Sequence, residues 1–463
     1  MSKKERKLNR RDFLQLSVAA AAGTVLAACA APEPEVIRET VKETVEVEVE
    51  VPVEVEKEVV ITATPAPVEI AEIRLAEGSW VGPEGIAFWT DDIIPRFEGE
   101  NPDIKVTFEN AESPDYADKL YAQAVAGDAP DVMFVWGGIC HNLMQKGQFL
   151  ALDDYFGPEY LEDFYPAKVI AHQYEGHLYG MPKYVSTIAM AYNKTILDEA
   201  GVDYPDGTWD WDDYLEAYQA TTDPDASQWG IYVSTDYLKH YVWANGGEWM
   251  NADIFGDKCL LNEEKAMEAL KYNHDMIWGP DPVSPKPGEI PEFGWYNVFS
   301  TGKIAFMESH SWTVTNYVRE NDFDWDFVDL PVAPDGGKAG QTFTDGYGIF
   351  AGTEYPEAAV RMVEFLTGPW AQKAMCLSVV GLQPTRKSVA PIWDTESMGA
   401  RAGYDVAAFT RIMDYARLDP AFKENEKVEE VFNPIWDQIW VTGEMSLEEG
   451  VNLIVQRVDD IFA

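Results

Sequence analysis

The sequence predicts an open α/β fold, in which a parallel sheet is covered by helices and the chain is divided into more than one lobe. The first observation is alternation, because residues 70 to 136 show the hydrophobic patterns of strand, helix, strand, helix and strand in turn. The second is size, since 463 residues exceed what one hydrophobic core normally supports. The third is a content of 46% hydrophobic and 13% aromatic residues, which is typical of a globular chain.

One helix and the strand after it show how the elements are assigned. Apolar residues at helical spacing predict a helix over Tyr116–Ala126, and Gly127 predicts its end because glycine enters the left-handed conformation freely. Asp131 to Trp136 is a short apolar run, predicted as a strand buried on both faces, and Gly137-Gly138 follows it. Ligands bind at the carboxyl ends of strands in an open α/β sheet, so Trp136 is a candidate binding residue. A core aromatic beside a plain turn explains the same pattern equally well.

The N-terminus has the features of an export signal. Residues 1–28 contain a basic stretch and then a small-residue apolar run, which is typical of a secretory signal peptide. Arg10 and Arg11 lie in a segment that resembles the twin-arginine export motif. Leu26-Ala27-Ala28-Cys29 resembles a bacterial lipobox, which implies a lipid anchor on Cys29. The alternative is a simple basic leader with an incidental cysteine. We expect an extracytoplasmic protein anchored to the outer face of the bacterial cytoplasmic membrane.

Residues 29–68 differ in composition from the rest of the chain. Valine and glutamate alternate here between flanking prolines, and alternation of this kind is compatible with a strand. A lone strand is not stable and its like charges repel, so we interpret the segment as an extended, self-repelling acidic tether. The alternative is pairing with a second copy or with the cell wall. The net charge of −45 also argues against nucleic acid as a partner.

Neither a metal site nor a catalytic motif is evident. Cys140, Cys259 and Cys376 show no C-x-x-C spacing and are predicted to be buried thiols. The six histidines show no spacing typical of metal ligands. G-x-S-x-G, H-E-x-x-H and P-loop motifs are absent from the sequence. We therefore expect no cofactor, no required metal and no enzyme activity.

Four phrases together carry a resemblance to a known family. They are AVAGDAPDV at residues 124–132, YEGHLYGMPKYVSTIAMAYNK at 174–194, TWDWDD at 208–213 and FSTGKIAFMESHSW at 299–312. Their order and spacing resemble those of the extracellular solute-binding proteins of ABC sugar importers, the maltose-binding-protein-like group. One departure is His310, where the family has a small residue or glycine.

The resemblance implies a two-lobe, type II periplasmic-binding-protein-like fold with hinge crossovers and a ligand cleft between the lobes. It places crossings near Pro182–Val185, Phe327–Pro331 and Phe365–Trp370. The expected division is 69–183 for the first lobe, 184–328 for the second lobe, 329–366 for a return to the first lobe, and 367–463 for the second lobe and the C-terminal helices. It also implies a monomeric receptor that binds a mono- or oligosaccharide and delivers it to the permease subunits of an ABC transporter.

Sugar recognition needs aromatic faces for the C–H face of the ring, and carboxylates, amides or arginine for its hydroxyls. Residues of these types at predicted strand ends and in cleft loops are the candidate ligand-binding residues: Glu77, Trp80, Trp136, Tyr184, Trp243, Glu248, Trp295, His310, Trp312, Asp345, Tyr347 and Arg386. Each tryptophan has core packing as its alternative. Arg386 is better explained by pairing with a structural carboxylate, and Asp345 equally well as a turn residue.

Two other classes of function compete with a receptor. A pair among the 80 acidic residues could serve a secreted glycosidase, although most acidic residues of such a chain lie on the solvated surface. A surface adhesin would carry the same lipobox and tether. The expected hinge crossovers favour a receptor over an adhesin, because an adhesin has no need of a hinge.

Overall fold

The computed structural model describes residues 36–41, 57–62, 70–78, 81–111, 115–289 and 297–463. The chain divides into two compact units, Met1–Glu69 and Ile70–Ala463. The export residues Arg10 and Arg11 and the lipidation residue Cys29 lie outside the described residues.

The described part of the first unit is a pair of strands, β1 (Val36–Val41) and β2 (Lys57–Thr62), joined in antiparallel register. This differs from the unpaired tether that the alternation suggested. In the register of this pair, Glu39 is the partner of Val59 and Thr40 is the partner of Glu58.

The strands of the second unit, numbered onward in chain order, are β3 (Ala71–Glu77), β4 (Ile104–Asn110), β5 (Val132–Trp136), β6 (Gln173–Tyr174), β7 (His177–Leu178), β8 (Gly180–Pro182), β9 (Ile188–Asn193), β10 (Trp229–Ile231), β11 (Ile304–His310), β12 (Trp325–Val328), β13 (Gly340–Thr342), β14 (Asp345–Ile349) and β15 (Ala416–Leu418).

The α-helices of the second unit are Pro83–Ala87, Ile94–Glu100, Tyr116–Ala126, Gly137–Gln145, Pro158–Leu161, Pro166–Ile170, Lys194–Ala200, Trp211–Thr221, Leu238–Ala244, Glu264–Trp278, Val314–Glu320, Pro356–Thr367, Pro369–Leu377, Pro391–Glu396, Met398–Ala402, Ala407–Ile412, Asn425–Trp440 and Leu447–Phe462. A π-helical stretch over Phe88–Ile93 joins the first two, and short 3-10 turns cover Pro224–Ala226, Thr235–Tyr237, Phe299–Thr301 and Ser311–Thr313.

The first-lobe sheet has the strand order β4-β3-β5-β14-β8. β3 runs parallel to β4 and β5, as the strand–helix alternation predicted, whereas β14 runs antiparallel to β5 and to β8. Apolar residues of the strands pack against the helices to form the core, with Ile73, Trp89, Phe97 and Val132 all fully buried. The prediction for the helix Tyr116–Ala126 is confirmed, and Gly127 ends it with a φ of 78°.

The second-lobe sheet has the order β10-β11-β9-β12 and shares no strand with the first. The chain passes from the first sheet to the second between β8 and β9, and returns between β12 and β14. The C-terminal helices Asn425–Trp440 and Leu447–Phe462 pack into the second-lobe core through residues such as Ile439 and Ile454. The two passages lie at the expected first and second crossings, while the detailed domain limits stay a prediction.

Candidate functional site

One edge of the first-lobe sheet gathers several of the candidate side chains. Glu77 ends β3, Trp136 ends β5, and Tyr184 lies just after the end of β8. Asp345 begins β14, but because β14 is antiparallel it lies at the same edge, directly opposite Trp136 in the register. This is the edge where the chain leaves for the second lobe, so the side chains lie beside the interlobe passage.

The carboxylate of Glu77 is paired with a lysine that sequence reasoning missed. Lys183 donates to Glu77 Oε1 at 2.5 Å, and the backbone N–H of Gly78 donates to the same oxygen at 2.7 Å. Both charged side chains are almost completely buried. Burial raises the pKa of Glu77, while the charge of Lys183 acts against the rise. Glu77 thus ties the loop after β3 to the start of the first passage, and does not reach solvent.

Asp345 also has partners within the protein. Its Oδ1 accepts a hydrogen bond from the hydroxyl of Tyr184 at 3.0 Å, and its Oδ2 lies 3.8 Å from Nζ of the fully buried Lys168. Burial raises the pKa of Asp345 to about 6, against the attraction of Lys168. Burial likewise lowers the pKa of Lys168 to about 8. Lys168 also donates to the backbone carbonyl of Phe343, just before β14.

Two aromatic groups flank this buried charge network. Trp136 is partly exposed and stacks on Tyr116, with ring centroids 5.6 Å apart and an interplanar angle of 18°. In the second lobe, Trp312 follows β11, is partly exposed, and stacks on His310 at 5.2 Å and 23°. Trp312 also packs against the hydrophobic core of the first lobe. The two tryptophans therefore lie at the carboxyl edges of different sheets, and Trp312 lies where the lobes meet.

His310 is a packing residue at this junction. Its ring meets those of Tyr237 at 5.2 Å and Phe343 at 4.6 Å, both edge to face. Its Nδ1 lies 3.1 Å from the hydroxyl of Ser186, which belongs to the first passage between the lobes. Burial lowers the pKa of His310 to about 3, so the imidazole is neutral near pH 7. A neutral ring suits its position between aromatic faces and the interlobe passage.

Trp243 and Glu248 are brought together elsewhere in the second lobe, by Arg417 of β15. The guanidinium of Arg417 lies 4.7 Å above the ring of Trp243 and forms an ion pair with Glu248 at 2.8 Å.

The neighbouring turn after β10 carries Asp236, an exposed carboxylate that the sequence analysis did not select. Its backbone carbonyl accepts from Gln341, so this turn is held against β13.

Arg386 has the surroundings of a structural residue. It is buried, donates to the backbone carbonyl of Thr367 at 2.6 Å, and forms an ion pair with Asp163 at 3.1 Å. The rings of Tyr160 and Phe164 lie 4.5 and 4.4 Å from its guanidinium. This geometry agrees with the alternative of a structural carboxylate partner.

The remaining candidates divide between the core and the part of the chain outside the described residues. Tyr347 is fully buried under the first-lobe sheet edge, so it has no surface to offer a ligand. Trp80 and Trp295 lie outside the described residues.

Among the described cysteines, Cys140, Cys259 and Cys376 are free and buried.

Within the described ranges, no group of three or more His, Cys, Asp or Glu side chains is arranged to hold a metal ion. A search of the same residues found no helix with the length and apolar character of a membrane span.

The two sheets, the passages between them and the aromatic edges define a two-lobe α/β binding protein of the type II periplasmic class. Over residues 82–373 the chain matches the family described as bacterial extracellular solute-binding protein, and it belongs to that family. The resemblance and the fold class expected from the sequence are thereby confirmed. The family consists of binding proteins, not enzymes, and its location is extracytoplasmic.

Individual relatives agree with this assignment. A binding protein of Brucella abortus (strain 2308) is 25% identical over 393 residues, which cover 82% of this chain and 91% of that protein. The maltotriose-binding protein of Pyrococcus abyssi is 26% identical over 295 residues, covering 60% of this chain and 59% of its own. The structure of an ABC substrate-binding protein from Listeria monocytogenes in complex with cycloalternan has a TM-score of 0.75 at 23% identity, covering 85% of this chain and 99% of that one. This structural likeness concerns the fold.

Proposed function

We propose that this protein is the receptor component of an ABC importer, which captures a carbohydrate between its two lobes and delivers it to the permease subunits. The observation that carries the proposal is the pair of partly exposed tryptophans, Trp136 and Trp312, one at the edge of each sheet. The relatives add support, since they include a maltotriose-binding protein and a protein whose structure was determined in complex with cycloalternan. The ligand class is a mono- or oligosaccharide.

The physical basis is the chemistry of a sugar ring. An indole face packs on the apolar C–H face of a pyranose, and two indoles from different lobes cover both sides of a ring. A ligand shifts the equilibrium between open and closed lobes only if it binds the closed form better. Trp136 and Trp312 together would make the closed form bind the sugar better, because each tryptophan alone contacts only one side of the ring.

Sugar titration of two alanine variants tests the proposal. Trp136→Ala and Trp312→Ala should each weaken binding about tenfold or more, because each removes one stacking face. Trp370→Ala is the matched control, since Trp370 is 40% exposed and lies against Arg96 of an outer helix. The ligand is first found by thermal shift with a panel of mono- and oligosaccharides, since a ligand of the native state raises the melting temperature. Unchanged affinity in both tryptophan variants, with normal melting, contradicts the proposal.

We propose that the receptor does not hydrolyse its ligand, because the two buried carboxylates at the sheet edge are held by partners within the protein. The glycosidase alternative needs a general acid and a second carboxylate that reach substrate. Glu77 and Asp345, at the sheet edge, are instead occupied by Lys183 and by Tyr184 with Lys168. Sustained hydrolysis of a glycoside by the purified protein, abolished by replacing one cleft carboxylate, would establish the alternative.

We also propose that the mature protein is a monomer anchored by lipid on Cys29, after export through the twin-arginine route. The support is the lipobox-like sequence before Cys29 and the pair Arg10 and Arg11. Cys29→Ser should abolish acylation and release the protein from the membrane fraction. Replacing both arginines with lysine should block export, and export that survives the double change indicates the general secretory route.

A further inference from the structure

The helix Gly137–Gln145 starts directly after Trp136, and a segment from the second lobe packs along it, against Gly138, Asn142 and Gln145. That segment runs from Phe422 into the helix Asn425–Trp440, which belongs to the second-lobe core through Val428 and Ile435. The contact therefore joins the two lobes at the helix that follows Trp136.

Asn425 organises this contact. Its side-chain amide donates to Oε1 of Glu429 at 2.9 Å and to Oδ1 of Asn142 at 3.3 Å, and its backbone N–H donates to Gln145 at 3.4 Å. Gln145 in turn donates to the backbone carbonyl of Phe422 at 3.1 Å. Side chains of both lobes are thus hydrogen-bonded to each other through one asparagine.

A second-lobe loop reinforces the contact from the side. The ring of Phe255 meets His141 at 5.5 Å and Tyr174 at 5.1 Å, both edge to face, and both partners belong to the first lobe. Phe255 has a φ of 56°, a conformation that is rare and costly for a bulky side chain. Its backbone N–H donates to Ala421 at 2.6 Å, which holds the loop beside the segment that carries Asn425.

Glu429 lies against the first turn of the helix Gly137–Gln145, at Gly138, which follows Trp136 by two residues in the chain. A Cβ added to Gly138 would lie 2.9 Å from Glu429 Oε1, so the missing side chain makes room for the carboxylate. The side chain is partly exposed. Burial raises the pKa of Glu429, and the hydrogen bonds from Asn425 and Asn142 oppose the rise. A sugar ring needs an acceptor for its hydroxyls and a stacking face, which the Glu429 carboxylate and the partly exposed Trp136, at the start of the same helix, can supply.

We propose that Glu429 closes the end of the carbohydrate cleft beside Trp136 and accepts hydrogen bonds from hydroxyls of the terminal sugar ring. The lobe-to-lobe contact around Asn425 and Phe255 forms the wall behind it. A bound oligosaccharide is therefore held by one end and extends only away from this wall. The inference rests on the proposed carbohydrate function and adds to it the direction in which the ligand lies.

The test uses the full chain and the linear oligosaccharide of the thermal-shift panel that binds most tightly. The linear members are maltose, maltotriose and arabinotriose, and the panel also contains tagatose and the cyclic sugar cycloalternan, which has no terminal ring. Glu429→Gln keeps the size and the contact with Asn425 but removes the charge, and should weaken binding about tenfold or more. Glu426→Gln is the matched control, because Glu426 lies one turn earlier on the same helix and pairs with the exposed Lys146. Gly138→Ala provides an independent variant, since the added methyl displaces the Glu429 carboxylate and should also weaken binding.

The outcomes separate this inference from the function on which it rests. The proposed role of Glu429 is supported if Glu429→Gln melts normally and binds the sugar tenfold more weakly while Glu426→Gln binds it unchanged. A sugar that binds Glu429→Gln within twofold of the unaltered protein overturns this inference alone. If Glu429→Gln melts early, the Gly138→Ala titration decides by the same twofold criterion. A panel without any binder overturns the proposed function and this inference together.

Discussion

The buried ion pair of Lys183 and Glu77 allows a sharp test of how the site is held. Lys183→Met keeps an unbranched side chain of similar length and removes the charge. Because Glu77 is 0% and Lys183 2% exposed, the change leaves a buried carboxylate without its cation. Removing one partner of a buried pair costs about 3–5 kcal/mol, far more than the roughly 0–1 kcal/mol typical of an exposed pair. We expect a loss of that size in the free energy of unfolding at pH 8.

The pH dependence of this stability loss shows whether the unpaired carboxylate of Glu77 causes it. Burial already raises the pKa of Glu77, and loss of Lys183 raises it further. As the pH falls, the folded variant therefore takes up a proton at a higher pH than the unfolded chain, whose Glu77 binds it only near the usual pKa of about 4.3. Protonation neutralises the stranded carboxylate, so the difference in stability between variant and unaltered protein should shrink as the pH falls towards about 5.

Urea unfolding followed by tryptophan fluorescence, at pH 8 and pH 5, measures both effects. The double variant Glu77→Gln with Lys183→Met should be more stable at pH 8 than Lys183→Met alone, because neither residue of the pair then carries a buried charge. Lys119→Met is the control: its side chain is 60% exposed, and its replacement should change stability by no more than about 0.5 kcal/mol. A loss below about 1 kcal/mol in Lys183→Met, or one independent of pH, refutes the reasoning.

Two further predictions concern stability. Burial lowers the pKa values of His141, His172 and His310 to about 4, 3 and 3, so these rings are neutral in the folded protein while the unfolded chain protonates them below about pH 6.5. Their contribution to the free energy of unfolding is present above pH 6.5. It is lost as the pH falls towards 4, at up to about 1.4 kcal/mol per pH unit for each ring. Asp345, whose pKa burial raises to about 6, opposes this loss, as do Glu77 and Glu429, whose pKa values burial also raises. His141→Asn should therefore make the melting temperature fall less between pH 6 and pH 4 than in the unaltered protein, and an unchanged profile contradicts the prediction. Arg386→Met should lower the melting temperature and leave sugar affinity in the surviving folded protein unchanged, whereas selective loss of affinity would return Arg386 to the binding site.

Local patterns in the sequence were sufficient for the elements of the first lobe. The helix over Tyr116–Ala126 and its end at Gly127 were predicted, because the spacing of apolar residues and the terminal glycine are both local signals. The strand ending at Trp136 was predicted for the same reason. Since the carboxyl ends of neighbouring parallel strands lie at one edge, the positions of Glu77 and Trp136 at that edge also follow from the strand assignments.

Periodicity and short motifs are enough to predict the fold class, the family resemblance and the kind of side chain found at the sheet edges, because these signals are local in the chain. Which charges meet depends on how distant parts of the chain pack. Glu77 and Lys183 are 106 residues apart in the chain, and Asn425 and Asn142 are 283 apart. With 80 acidic and 35 basic residues, a sequence offers far too many possible pairs for any one to stand out. The packing of the two lobes selects among them, since a charge removed from water is stable there only beside a partner that the fold brings to it.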